Sequence, residues 1–262
     1  MRNIFLSLLL IVSLGVAAQQ TGTMYVAAKN GLNMRETPDE SSTVLVKIPY
    51  GTKVTLLQAE GEIKKIVTEG MTGYWQKVKY NNKTGYIVDA YLLPWAAPNS
   101  VLIKKTEYNQ LNNYLKQVTL PFGAKLVIRT GKMDGMDDGA SELNKQLYKN
   151  GAEWHHSSGY EWGSDTYILP GFSLQQGFLL LRLIPEFGEV FGATEEFPTE
   201  SKKYTKNEVE YDLTVHKRTY GEGEYAFTEI EKITISYSPG ASYDLELFML
   251  GGELVISLSG GV

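Results

Sequence analysis

The chain of 262 residues contains no cysteine. That absence excludes disulfides, thiolate zinc sites, Cys nucleophiles and the thioether lipid attachment of a bacterial lipoprotein. Histidine is scarce, with three copies. His155 and His156 are adjacent, so on a strand they point to opposite faces and do not readily share a metal. His216 falls in a β-prone run. No HExxH or other two-His metal spacing is present, and no motif calls for a metal or a cofactor. Basic excess is missing too: 25 Lys and Arg face 30 Asp and Glu, a formal charge of −5. An acidic body argues against nucleic acid as a partner. Beyond the first 18 residues the chain also lacks a long apolar run; the longest, Phe178 to Ile184, is short and contains Arg182.

Residues 1–18 have the form of a secretory signal peptide. Arg2 supplies the positive start, Ile4 to Val16 an apolar stretch, and Val16-Ala17-Ala18 a small-residue exit. The stretch falls short of the roughly 20 residues a spanning helix needs. The expectation is an exported protein, periplasmic or secreted, soluble, not a lipoprotein and not membrane-bound after cleavage. Loss of Arg2 takes the net charge from −5 to −6. Residues 23–93 hold nine Lys and Arg against seven Asp and Glu, or +2; the remainder holds fifteen against twenty-three, or −8.

Residues 22–93 read as a small all-β unit. Thr23 to Ala28 is β-prone, and Lys29-Asn30-Gly31 is turn chemistry. Leu32-Asn33-Met34-Arg35 alternates with the period of a half-buried strand. A polar loop with Pro38 follows, then strands at Val44 to Ile48 and Val54 to Leu57, a polar loop over Glu60 to Gly73 with a short strand inside it, and a hairpin of Tyr74 to Tyr80 with Thr84 to Val88. Short strands separated by frequent turns indicate a barrel or sandwich. Leu32, Met34, Val44, Val46, Ile48, Val54, Leu56, Val78 and Ile87 are its candidate core.

This segment resembles the bacterial SH3 (SH3b) family. The resemblance rests on Leu32-Asn33-Met34-Arg35 with Pro38, Tyr50-Gly51-Thr52-Lys53-Val54, Trp75 and Val78, Lys83-Thr84-Gly85-Tyr86-Ile87, and Tyr91-Leu92, in order and at family-like spacing. The loop from Gln58 to Gly73 is longer than a minimal member needs. The resemblance implies an SH3-like barrel used for cell-wall targeting or protein docking, with a peptidoglycan peptide or an envelope protein as partner, and no catalysis. Wall peptidases that carry such modules use a Cys-His pair, which this chain cannot supply. Asn33, Arg35, Tyr74, Trp75, Tyr86 and Tyr91 are the candidate ligand-binding residues: aromatics beside a cationic fork hold a peptide or sugar face with little entropy loss. Core or rim packing is the competing role for Trp75 and Tyr86, and loop bracing for Arg35.

Residues 94–100, with Pro94 and Pro98, read as a linker. Residues 101–262 read as a separate α+β domain of unknown function: an antiparallel meander with two or three helices. The spacing of Tyr108, Leu111, Leu115 and Val118 predicts a helix over Thr106 to Val118, with Thr106 as its cap. A second helix is expected over Gly139 to Asn150, capped by Ser141. A third follows Ser173, where Ser173 and Gln176 have the capping-box spacing. Ala124 to Arg129, Glu208 to Thr219, Tyr225 to Tyr237, Tyr243 to Leu250 and Glu253 to Leu258 read as strands.

No catalytic residue is assigned. Met133 to Gly139 is acidic but fails the EF-hand pattern, because Met136 and Lys145 occupy ligand positions. No G-x-S-x-G marks a nucleophile. His155, Glu161 and Asp165 form a conceivable site. Glu153 and Glu161 lie beside aromatics, as a glycan- or wall-active hydrolase with a site in residues 150–200 would require. The preferred reading is a non-enzymatic envelope protein; that hydrolase and a structural scaffold without a ligand site are the alternatives.

Overall fold

The computed structural model describes residues 22–58, 61, 63–99, 101–102, 110–131, 139–188, 190 and 195–262. The expected signal peptide, Thr106 and the acidic segment from Met133 to Asp138 lie outside these residues. The described chain is mostly β, with antiparallel sheets and helices at Gln110–Val118 (α1) and Leu174–Leu183 (α2).

The first sheet is made from β1 (Gly22–Val26), β2 (Leu32–Arg35), β3 (Val44–Ile48), β4 (Lys53–Leu56), β5 (Lys65–Thr68), β6 (Met71–Tyr80), β7 (Lys83–Val88) and β8 (Leu92–Leu93), with a 3-10 turn at Asp89–Tyr91 before β8. Its order is β3-β2-β7-β6-β4-β1-β8, and β5 pairs with β6. Asn81 and Asn82 join β6 to β7 with φ of 46° and 59°, the geometry of a tight two-residue hairpin turn. Met24, Val26, Leu32, Met34, Ile48, Val54, Leu56, Val78, Ile87 and Leu92 fill the interior. Val44 does not belong to that core: it is 44% exposed. Opposite Met34 and Arg35, β3 carries one extra residue, Leu45; this bulge re-aims β3, so Leu45 packs on the core beside Val46 and Val44 turns out.

The second sheet contains β9 (Pro121–Thr130), β10 (Ser141–Tyr148), β11 (Glu153–Gly159), β12 (Trp162–Leu169), β13 (Lys202–Lys206), β14 (Val209–Tyr220), β15 (Phe227–Tyr237), β16 (Ser242–Leu250) and β17 (Glu253–Gly261). Its order is β13-β14-β15-β16-β17-β12-β11-β10-β9. Two meanders thus meet where β17 pairs with β12. The expected helix over Gly139 to Asn150 is the strand β10, paired on both sides. Its helix-forming residues are overridden by those ladders. The helix after Ser173 is present, with the reciprocal Ser173–Gln176 capping box.

Beside the barrel interior a second, larger apolar cluster forms, and it draws on residues from both sides of 94–100. Ala27, Met71 and Leu93 of the barrel share one cluster with Phe172, Phe178 and Leu254. Trp95 meets the Phe172 ring edge-on at 4.8 Å. The Gln117 side chain receives the Asn99 N–H at 3.0 Å and donates to the Ala97 carbonyl at 2.9 Å. The segment expected to be a linker is packed into the structure over its described residues.

Candidate ligand cleft beside the barrel

Strand β6 changes partners along its length. Lys65 to Thr68 pair with its first residues, while Trp75 onward pairs with β7. The alternation of buried and exposed residues breaks at this switch, so Trp75 and Gln76 are both buried. The change of pleat sets Tyr74 and Gln76 beside the 3-10 turn. There Asp89 accepts the Tyr74 N–H at 2.6 Å and the Gln76 amide Nε2–H at 3.1 Å. Burial pushes the Asp89 carboxyl above its ordinary value of 3.8, and the bonds from Tyr74 and Gln76 oppose that shift. The Gln76 Oε1 is buried and has no partner among the described residues.

These side chains face a cleft of about 930 Å³ between the barrel and the start of α2. Thr72, Tyr74, Gln76 and Asp89 line it from the barrel, and Ser173 and Gln176 from the other side. The walls are tied together. Arg182 Nη2 lies 2.8 Å from the Glu69 carboxylate, and Phe197 N–H donates to the Glu69 carbonyl at 2.8 Å. Gln176 Nε2 donates to the Leu92 carbonyl at 3.3 Å. Glu69 sits in the tight turn between β5 and β6, so the β5 hairpin, inside the segment expected as a long loop, carries the clamp.

The six expected ligand residues do not form one groove. Tyr74 lines the cleft. Tyr91 bridges both cores and shares a hydrogen bond with Thr68 Oγ1 at 2.8 Å; burial raises its hydroxyl pKa. Trp75 is only 6% exposed, which makes it a packing residue rather than a ligand platform. Asn33, Arg35 and Tyr86 occupy β2 and β7, where Arg35 opposes Tyr86. The Arg35 guanidinium donates to the Ser42 carbonyl at 2.6 Å and braces the loop. Gln76 and Asp89 were not legible as site residues, although two successive non-alternating positions at Trp75-Gln76 are a trace of the switch.

Glu153 and Glu161 separate as well. Glu153 opposes Ile168, whereas Glu161 lies in the turn between Gly159 and Trp162. That is about 20 Å along the hairpin at roughly 3.3 Å per residue, well beyond the roughly 5–9.5 Å that glycoside cleavage needs. Partial burial acts to raise the Glu153 carboxyl, but Lys145 and His155 hold it below its ordinary 4.5. His155 bonds to Glu153 and His156 to Asp165, on opposite faces of the strand. His155 therefore does not join Glu161 and Asp165, which line a cavity of the large sheet, and among the described residues no group of three or more His, Asp or Glu could hold a metal ion. No helix among the described residues is long and apolar enough to cross a membrane.

Residues 30–92 match the family model of the bacterial SH3 domain. No curated protein matches the chain, and no solved structure does.

Proposed function

We propose that this chain, with a bacterial SH3 domain at residues 30–92, is a non-enzymatic, exported protein of the bacterial envelope that binds peptide, with the stem peptide of peptidoglycan as the preferred ligand and a peptide segment of an envelope protein as the other. One observation carries the reading: within the matched segment, Thr72, Tyr74 and Gln76 line an open cleft that Ser173 and Gln176 close from the other side. Tyr74 offers an extended peptide a flat face with few rotamers to freeze, and the hydroxyl and amide groups around it offer hydrogen-bond partners. The separation of Glu153 from Glu161 leaves the hydrolase reading without its pair of carboxylates at those positions.

The test is sedimentation of the full chain with purified sacculi. The parent is expected to pellet with the wall, Tyr74→Ala to lose most of that association, and Arg35→Ala to keep it. If the parent stays in solution, wall binding is wrong. If Arg35→Ala or Tyr86→Ala abolishes pelleting while Tyr74→Ala does not, the site lies on the β2–β7 surface instead.

A further inference from the structure

A second cavity, of about 460 Å³, opens on the large sheet where β12, β16 and β17 meet. One row of directly opposed residues leads to it. Tyr204, Tyr211, Tyr237 and Tyr243 face one another across β13, β14, β15 and β16. Their rings stack at 5.0, 5.2 and 5.4 Å between centroids. The row continues into Gly260 on β17 and Gly163 on β12. At Gly260 the fold requires glycine, because an added Cβ would come within 2.6 Å of the Tyr243 ring.

Gly163 is different. An added Cβ there would meet nothing nearer than the Ser157 carbonyl at 3.9 Å, and the backbone is not in the left-handed region. Glycine inside a strand weakens it, and such a residue often marks where a ligand or another backbone comes close. Here the nearest backbone among the described residues, the Ser157 carbonyl, stands at ordinary van der Waals distance and leaves room for a side chain. Gly163, Asp165 and Tyr167 alternate along β12 on one face, and all three line the cavity.

Among the described residues, Glu161, Asp165, Glu186 and Asp244 line this space and no Lys, Arg or His does. Asp165 is fixed through one oxygen: Oδ1 accepts the Trp154 indole N–H at 2.8 Å and pairs with His156 Nδ1 at 3.0 Å. Its Oδ2 has no hydrogen-bond partner among the described residues. Glu186 is already engaged, accepting the Gln110 N–H at 2.6 Å. A carboxylate held through one oxygen, beside the Tyr243 ring and above a floor without side chains, suits a compact cation. An anion would meet repulsion from every carboxylate, and an apolar group would bury Asp165 unpaired.

We propose that this cavity binds a primary alkylammonium, as borne by a lysine-like side chain, with Asp165 as counter-ion, Tyr243 as the aromatic wall and Gly163 as the floor. The site is separate from the barrel cleft and does not depend on it.

The experiment titrates the full chain by calorimetry with Nα-acetyl-lysine methylamide and with its neutral Nε-acetylated form. The charged probe is expected to bind, more weakly as salt is raised, and the neutral probe to fail. Asp165→Asn should weaken binding about tenfold or more, since a charge-assisted bond becomes a neutral one. Gly163→Val keeps the fold separate from the site: it should melt no lower than the parent, because its side chain enters open space, yet lose the probe. Tyr74→Ala should leave this binding unchanged, which distinguishes it from the barrel reading. Equal binding of the two probes, undiminished binding by Gly163→Val, or no binding at millimolar probe would each overturn the proposal.

Discussion

On β4 of the barrel, Val54 and Leu56 are buried while Lys53 and Thr55 are exposed. On β10 of the large sheet the polarity runs the other way. Asn144 and Gln146 are buried with Tyr148, while Leu143 and Leu147 are each 36% exposed. Both are strands of antiparallel sheets, but one hides its apolar side and the other hides amides. The barrel thus closes a dry interior and does its proposed work at its edge, where β6 changes partner. The large sheet buries Leu213, Ile235 and Leu245 on β14 to β16 but sets amides on β10 and tyrosines beside them, and it hosts its cavity on that face. The two recesses differ in kind: one offers amide and hydroxyl groups to a peptide, the other carboxylates and rings to a cation.

The sharpest way to break this contrast is to ask whether the two regions are thermodynamically separate. Phe178 is fully buried in the cluster that contains barrel residues Ala27 and Met71. Phe178→Ala should cost about 3–5 kcal/mol and lower a single calorimetric transition. Ile48→Ala, in the barrel's own core, should cost about 2–5 kcal/mol and lower that same transition. Two resolved transitions, with only one moved by each substitution, would show independent units.

A smaller effect is expected from the clamp. Glu69→Gln removes the charge facing Arg182 and should destabilise by about 1–3 kcal/mol, measured by urea unfolding. Its side chain is 38% exposed, which places the result toward the low end. Ser173→Ala removes the hydroxyl that caps α2 and should cost about 1 kcal/mol in the same assay. Asp89 gives the smallest change and a definite sign. Its folded carboxyl is held above the ordinary value, so the folded state holds the proton more tightly. The stability this contributes is complete below the unfolded pKa and is lost as pH rises through the folded one. Asp89→Asn should therefore flatten the stability–pH curve just above pH 3.8 and be relatively more stable at neutral pH, as read by melting temperature against pH.

The barrel was legible because its strands are half-buried and its turns carry Asn, Gly and Pro at the positions that need them. Leu32, Met34, Val54 and Leu56 declare the inner face by simple alternation. The helix after Ser173 was legible through its cap. β10 was not: Ser141 to Tyr148 is built from helix formers, and Leu143 and Leu147 stand four apart like a helical stripe. Only pairing with β9 and β11 reveals that the stripe faces out. β11 gave no signal because His155, His156, Ser157 and Ser158 are polar on both faces. The cleft was half legible. Tyr74 stood out as an aromatic near the end of the barrel, but Gln76 and Asp89 meet only through a fold-back that no local pattern encodes. The cavity row of Tyr237, Tyr243, Gly260 and Gly163 depends on register across separate strands, which is a tertiary property.

The most direct measurement of the barrel's role is a nitrogen-15 NMR titration of the full chain with a peptidoglycan stem peptide. Binding in the cleft predicts shifts concentrated at the amides of Thr72, Tyr74 and Asp89 and at the side-chain amide of Gln76, with Asn33, Arg35 and Tyr86 unmoved. Shifts confined to Asn33, Arg35 and Tyr86, or a spectrum that does not respond to the peptide, would contradict it.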